Sequence, residues 1–162
     1  MVKPPRRPRL ALFGAGPAGQ AFARQFALLP FEVEVYDDRE AMTAHATVLP
    51  QDELVVLAGC LEPGDFAVIA SSSHDLDFRL ARAVLEGGVA RYCGMIGSRR
   101  KAGEAVERLA AEGLTQDQIG RLTCPIGIAS LHGRAPETIA VSAAAQLLQV
   151  LEADAEDDPG QS

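Results

Sequence analysis

The chain is expected to fold as a single α/β domain with a mostly parallel, doubly wound sheet. Two observations carry this expectation. Short apolar runs alternate with helical periodicities along nearly the whole chain, which is how parallel strands and their crossover helices appear in a sequence. The first of these runs, Leu10 to Phe13, is followed by Gly14-Ala15-Gly16-Pro17-Ala18-Gly19. That is a G-x-G-x-x-G turn leading from a strand into a helix. Together they specify a Rossmann-like sheet, whose ligand crevice lies in the loops after the strands' carboxyl ends.

The elements follow in order. Met1 to Arg9, basic and broken by Pro4, Pro5 and Pro8, is expected to be a flexible arm before a domain spanning residues 10–151. After the glycine turn, Phe22, Phe26 and Leu29 mark one helix face, and Pro30 closes that region. Phe31 to Tyr36 alternates apolar with polar as a second strand and ends at Asp37. Residues 40–53 are weakly patterned, and Leu54 to Leu57 fits a short strand or part of a short helix equally well. Glu62-Pro63-Gly64-Asp65 is a turn before the buried strand Phe66 to Ala70. A serine of Ser71-Ser72-Ser73 caps the next helix, with Leu76, Leu80, Ala83 and Val84 inward and Gly87-Gly88 as its stop. Arg91 to Ile96 is a strand, and Ser98 caps a helix carrying Ala102, Ala105, Val106 and Leu109 on one face. Thr115 to Gln118 has the form of a capping box. Leu122 to Ile128 is expected as the last strand, at an edge because Pro125 cannot donate to a ladder. Pro136 starts a final helix with Ile139, Ala143, Leu147 and Val150 aligned, and residues 152–162 form an acidic tail expected to be disordered.

Composition narrows the function. At 162 residues the chain is long enough for one well-filled core. A formal net charge of −7 argues against general binding to nucleic acid or to an anionic membrane surface. Three widely spaced cysteines, Cys60, Cys93 and Cys124, form neither a disulfide framework nor a zinc pattern. No apolar run approaches the roughly 18 residues that span a bilayer, and the N-terminus lacks a signal peptide's apolar region, so a cytoplasmic protein is expected.

Four glycine-, serine- or proline-rich segments fall at strand ends: 14–19, 71–74, 97–100 and 124–127. In the first, Gly14 permits the tight turn, Gly16 lets the backbone approach a pyrophosphate, and Gly19 lets helix and strand pack closely. The helix N-terminus, with Pro17 and Ala18 in its first turn, offers N–H groups and a positive dipole end to an anion. Asp37 stands about 20 residues on, where an acid meets ribose hydroxyls, and Arg39 beside it can meet a 2′-phosphate. Ser71 and His74 line the second segment, and His74 can titrate near neutrality. Gly97, Ser98 and Arg99 open the third, where Arg99, Arg100 and Lys101 oppose a helix dipole unless an anion offsets them. Cys93 and Cys124 belong to strands and are expected to be buried, unreactive thiols. There is no Tyr-x-x-x-Lys pair, and no histidine is set with a carboxylate as a dehydrogenase acid–base pair would be, so binding without redox turnover is expected.

The blocks Gly94-Met95-Ile96-Gly97-Ser98-Arg99-Arg100-Lys101, Cys124-Pro125-Ile126-Gly127 and Pro136-Glu137-Thr138-Ile139-Ala140-Val141-Ser142 carry a specific resemblance. The chain resembles the C-terminal Rossmann half of the xanthine dehydrogenase accessory protein family, the XdhC/CoxI type, over nearly all of residues 9–151. The glycine loop, Asp37-x-Arg39 and His74-x-x-Asp77 fit in the same order. Pro17 replaces a common histidine of that family, and Ser71-Ser72-Ser73-His74 replaces a common Thr-His-x-His segment. The resemblance implies a non-catalytic carrier that binds molybdenum cofactor, as molybdopterin or its dinucleotide form, for insertion into an apo molybdenum hydroxylase. It implies a cysteine desulfurase as a further partner. It also implies that the site is completed by a separate N-terminal-domain chain or by a homodimer, because family members carry a domain before this half. The residues also admit an NAD(P)-dependent oxidoreductase or a module that senses NAD(H) without turning it over.

Overall fold

The structure is a computed structural model that describes residues 6–156. Its strands are β1 (Arg9–Phe13), β2 (Glu32–Asp37), β3 (Thr47–Val48), β4 (Phe66–Ile69), β5 (Tyr92–Met95) and β6 (Leu122–Thr123). The helices are α1 (Pro17–Phe26), α2 (Gln51–Gly59), α3 (His74–Gly87), α4 (Arg99–Ala111), α5 (Gln116–Ile119) and α6 (Pro136–Glu156). The strands form one sheet in the order β3-β2-β1-β4-β5-β6, and every pairing is parallel. The chain is therefore a single doubly wound domain whose strand order reverses between β1 and β4.

Alternation along the strands divides the core. Leu10, Leu12, Phe66, Val68 and Tyr92 face α1 and α6, where Phe22, Phe26, Ala143 and Leu147 meet them. Ala11, Phe13, Ala67, Ile69, Cys93 and Met95 face the opposite layer of α2, α3, α4 and α5. A sheet covered on both faces has central strands apolar at every position, and all four residues of β4 are buried. β2 alternates because it has only the two-residue β3 beyond it, and its first residue, Glu32, is exposed.

Several boundaries differ from the sequence expectation. Arg9 belongs to β1, where its Nε donates to Glu34 at 2.7 Å, so the arm does not reach it; residues 1–5 lie outside the described residues. α1 stops at Phe26, short of Leu29, because the chain must turn to reach β2. Leu54 belongs to a helix, α2, which seats Leu54 and Ala58 one turn apart. Val106 faces outward from α4, 43% exposed, leaving Ala105 and Leu109 as the buried face. The last strand is two residues long rather than seven. It lies at the edge, and beyond it the cis Cys124–Pro125 bond redirects the chain before Ile126 bonds the Met95 carbonyl at 3.0 Å. Residues 152–156, expected within an acidic disordered tail, continue α6, which runs to Glu156; residues 157–162 lie outside the described residues.

Two glycines separate close packing from mere flexibility. A Cβ on Gly19 would sit 1.9 Å from the Gly14 carbonyl oxygen, whereas a Cβ on Gly103, mid-helix in α4, would meet nothing within 4 Å. Gly19→Ala is expected to lower stability enough to disrupt folding. Gly103→Ala is expected to raise it by about 0.5–1 kcal/mol. Urea unfolding of both variants checks this, and a tolerated Gly19→Ala would refute the packing.

Candidate functional site

The glycine loop sits against the end of β4. Gly14 takes φ +127°, and its N–H bonds the Tyr36 carbonyl at 2.7 Å. A Cβ there would lie 2.0 Å from the Ala70 carbonyl oxygen. Gly14 and Gly19 are thus required by the fold. Gly16 is different: its φ is −73°, and the only heavy atom near a Cβ would be Nη2 of Arg39 at 3.3 Å. Pro17 opens α1 with no N–H of its own, and the N–H groups of Ala18 and Gly19 have no acceptor among the described residues. Gly16 to Ala18 are the open part of the loop, with Gly19 buried behind them, and this helix end has the donors and the dipole that hold an anion.

Asp37 organises this loop from beneath. Its side chain is 2% exposed. Oδ2 accepts from the Ala15 N–H at 2.8 Å and from Arg39 Nη2 at 2.9 Å. Oδ1 accepts from the Arg39 N–H and Nε, each at 2.9 Å. Burial alone would push this carboxyl up, but the hydrogen bonds from Arg39 and Ala15 outweigh it and hold it below its ordinary value. The same pairing raises the Arg39 guanidinium further. The acid expected to meet ribose is therefore bonded within the chain.

A second buried carboxylate does the same for the neighbouring loops. Asp77, in the first turn of α3, is 1% exposed at its side chain. Oδ1 accepts from the Ser71 N–H at 2.8 Å, and Oδ2 accepts from Lys101 Nζ at 2.5 Å. Lys101 also donates to the Ile96 carbonyl at 2.9 Å. Its stem passes over Gly97, where a Cβ would lie 2.6 Å from Lys101 Cδ. Ser98 caps α4 through the Lys101 N–H at 3.1 Å. The basic turn thus disperses: Lys101 turns inward, Arg100 pairs with Glu104 at 3.1 Å, and Arg99 alone stays exposed without an ion pair among the described residues.

The remaining candidates take supporting places. The Ser71 hydroxyl donates to the Ser73 carbonyl at 2.9 Å and so shapes the turn, while Ser73 caps α3. His74 is exposed at the start of α3, beside a cavity of about 150 Å³ that Phe78, Met95, Lys101 and Arg108 also line. The loop after β6 is strapped by α6. Gln146 accepts from the Gly127 N–H at 3.0 Å and donates to its carbonyl at 2.8 Å, and the Ser142 hydroxyl accepts from the Ile128 N–H at 2.7 Å. Burial pushes the Cys93 thiol up to about 12 and the half-buried Cys124 thiol up to about 11, so both stay protonated at neutral pH.

The structure brings the glycine loop, Arg39, Ser71, Gly97 and Ser98 to one edge of the sheet, on both sides of the point where strand order reverses. A cavity of about 300 Å³ borders the loop beside Ala15, Gln20 and His45. Another of about 210 Å³ lies between Gly97, Pro125, His132 and Arg134. A larger one, about 440 Å³, opens at the opposite edge between Gly64, Tyr92 and Arg121, away from these loops. Sequence reasoning missed the Asp77–Lys101 pair and the Ser142 and Gln146 strap. Asp77 had a signal: a carboxylate within the stripe of Leu76, Leu80, Ala81 and Val84 needs a buried partner.

The pair generates a test. Lys101→Met leaves the Asp77 carboxylate buried without its cation and is expected to cost about 3–5 kcal/mol. Adding Asp77→Leu is expected to recover part of that loss. A urea-unfolding cycle measures both, and a Lys101→Met loss below about 1 kcal/mol would show that the pair does not hold the loops.

Comparison with known proteins agrees with this architecture. The chain is 31% identical over 152 residues to the uncharacterized protein YqeB of Escherichia coli K12, covering 89% of this chain and 27% of that one. It superimposes on a Bacillus halodurans structure described as a xanthine dehydrogenase with a TM-score of 0.73 and 26% identity, over 96% of this chain and 45% of that one. The chain therefore spans about a quarter of the first relative and under half of the second. The family model described as the XdhC Rossmann domain matches residues 10–147. The chain belongs to the XdhC Rossmann domain family.

Proposed function

We propose that this chain is an accessory protein that binds molybdenum cofactor through its phosphate and delivers it to a molybdenum hydroxylase such as xanthine dehydrogenase. The observation that carries this reading is the anion cradle at the strand-order reversal. There the first turn of α1, with the unpartnered N–H groups of Ala18 and Gly19, follows Gly16, whose bare backbone faces the Arg39 guanidinium. The cofactor is a phosphorylated pterin, so the donor set fits the part of it that carries charge. Gly16, Ala18, Gly19 and Arg39 would hold the phosphate, with Arg99 as a further exposed cation nearby along the edge. When bound, the cofactor supplies the redox-active molybdenum chemistry that the client enzyme uses. This chain's residues bind, orient and shield it.

Membership of the XdhC Rossmann family and the likeness to a protein described as a xanthine dehydrogenase support the choice of client. The crevice favours carriage over turnover, because the His74 side chain has no hydrogen-bond or ion-pair partner among the described residues and the Cys124 thiol, beyond β6, is held protonated. An apo molybdenum hydroxylase is the proposed partner, with a cysteine desulfurase acting on the bound cofactor before transfer. A cytoplasmic location goes with this role, and no described helix is long and apolar enough to cross a membrane.

Calorimetric titration of the purified protein with molybdenum cofactor, NAD and NADH tests the reading. Cofactor heat that saturates, with none from NAD or NADH, is the expected result. Binding of NAD(H) alone would overturn the carrier role in favour of an oxidoreductase or a sensor. Gly16→Val is expected to abolish the cofactor heat while the circular dichroism and unfolding midpoint stay near wild type, since a Cβ there meets no backbone and approaches only Arg39 Nη2, at 3.3 Å. Unchanged affinity in that folded variant would remove the glycine loop from the site.

A further inference from the structure

In sheets of this topology an acid at the end of the second strand accepts hydrogen bonds from a ribose diol. Asp37 holds that position and has no acceptor capacity to spare. A carboxylate has about four lone-pair sites. Here the Ala15 N–H, the Arg39 N–H, and Arg39 Nε and Nη2 take them all, at 2.8–2.9 Å. A diol would have to displace main-chain or guanidinium donors that the fold already supplies.

The group left facing the crevice is the guanidinium. The Arg39 side chain is 36% exposed. Its Nη2 lies 3.3 Å from where a Gly16 Cβ would be, and Nη1 bonds no group among the described residues. The fork is fixed by its two bonds to Asp37, so its outward donors are pre-set beside Gly16, at the start of α1. Asp37 offsets much of the positive charge, which makes hydrogen-bond geometry the source of selectivity. A phosphate monoester meets that geometry well, because it carries close to two negative charges at neutral pH and presents three acceptor oxygens.

Resting on the reading that this loop cradles a ligand's phosphate, we infer that Arg39, and not Asp37, sets ligand choice. The site selects a ligand that presents a phosphate monoester to Arg39 over one that presents a free ribose diol there. For molybdenum cofactor this means the monophosphate form over the dinucleotide form. For nicotinamide dinucleotides it means the 2′-phosphorylated member over the other.

Calorimetry with two ligand pairs tests this on the intact chain: molybdenum cofactor as monophosphate against its dinucleotide form, and NADP+ against NAD+. In each pair that binds, the monoester is expected to bind about tenfold tighter or more, the range of a charge-assisted bidentate contact. Arg39→Leu is expected to level the two affinities, and Arg39→Lys, which keeps the charge and loses the fork, to reduce the preference. Equal affinities within a binding pair, tighter binding of the diol, or a preference that survives in folded Arg39→Leu would each overturn the inference. The wild-type comparison decides the matter even if Arg39→Leu fails to fold. Equal binding of both cofactor forms would sink this inference and leave the carrier role standing. Binding of NADP+ over NAD+ with neither cofactor form bound would do the reverse. No binding by any of the four would end both.

Discussion

Two buried carboxylates hold the functional edge of this protein together. Asp37 accepts the N–H of Ala15 from the loop after β1 and the guanidinium of Arg39 from the segment after β2. Asp77 accepts the N–H of Ser71 from the loop after β4 and the ammonium of Lys101 from the helix after β5. Each acid ties the main chain of one strand-end loop to a cation carried by the next. Together they stand on either side of the strand-order reversal, the place where a doubly wound sheet opens a crevice. Burying a charge is costly unless it is paired and hydrogen-bonded. Both acids meet that condition, and every buried side-chain nitrogen and oxygen among the described residues has a partner.

Around those anchors, glycines decide what touches what. Gly14 and Gly19 let the first loop press against β4 and α1 against the loop, and Gly97 lets the Lys101 stem fold back over its turn. Gly127 occupies φ +104° against the Ser142 hydroxyl, so the loop after β6 can be strapped by α6. With these positions committed to packing, Gly16 remains as the backbone left bare toward solvent and Arg39. The division explains how one edge can be rigid and still present an open cradle. It also separates the groups that shape the site from those that can meet a ligand.

Much of this was legible in the sequence where the determining chemistry is local. The apolar run Phe66–Ile69, the G-x-G-x-x-G turn, the Ser98 cap and the Thr115–Gln118 capping box each depend on residues within a few positions of one another. What was not legible depends on contacts across the chain. β3 exists only because Thr47 and Val48 meet the end of β2, and two residues have no period. In α2 the inward positions Leu54 and Ala58 are hidden among Val55, Val56 and Leu57, which blurs helix from strand. Lys101 finds Asp77 across 24 residues, so the basic turn looked like one patch when it contains an inward ion pair and two outward arginines. The Asp37–Arg39 pair was visible as a motif, but that its members satisfy each other depends on the bend of the chain after β2.

The central claim is that the crevice is preformed by the two carboxylates before any ligand arrives. Amide hydrogen exchange of the ligand-free protein, followed by NMR at Ala15 and Ser71, tests it most directly. Both amides lie in loops, yet each donates to a buried carboxylate at 2.8 Å. The account predicts slow exchange at both, in contrast to the exposed Ser72 between the same elements. Because the Asp37 carboxyl is held below its ordinary value, its bond is present above the usual carboxylate range and is lost only as pH falls through the lowered value. Protection at Ala15 should follow that course. Exchange at either amide as fast as at Ser72, near neutral pH, would contradict a preformed site.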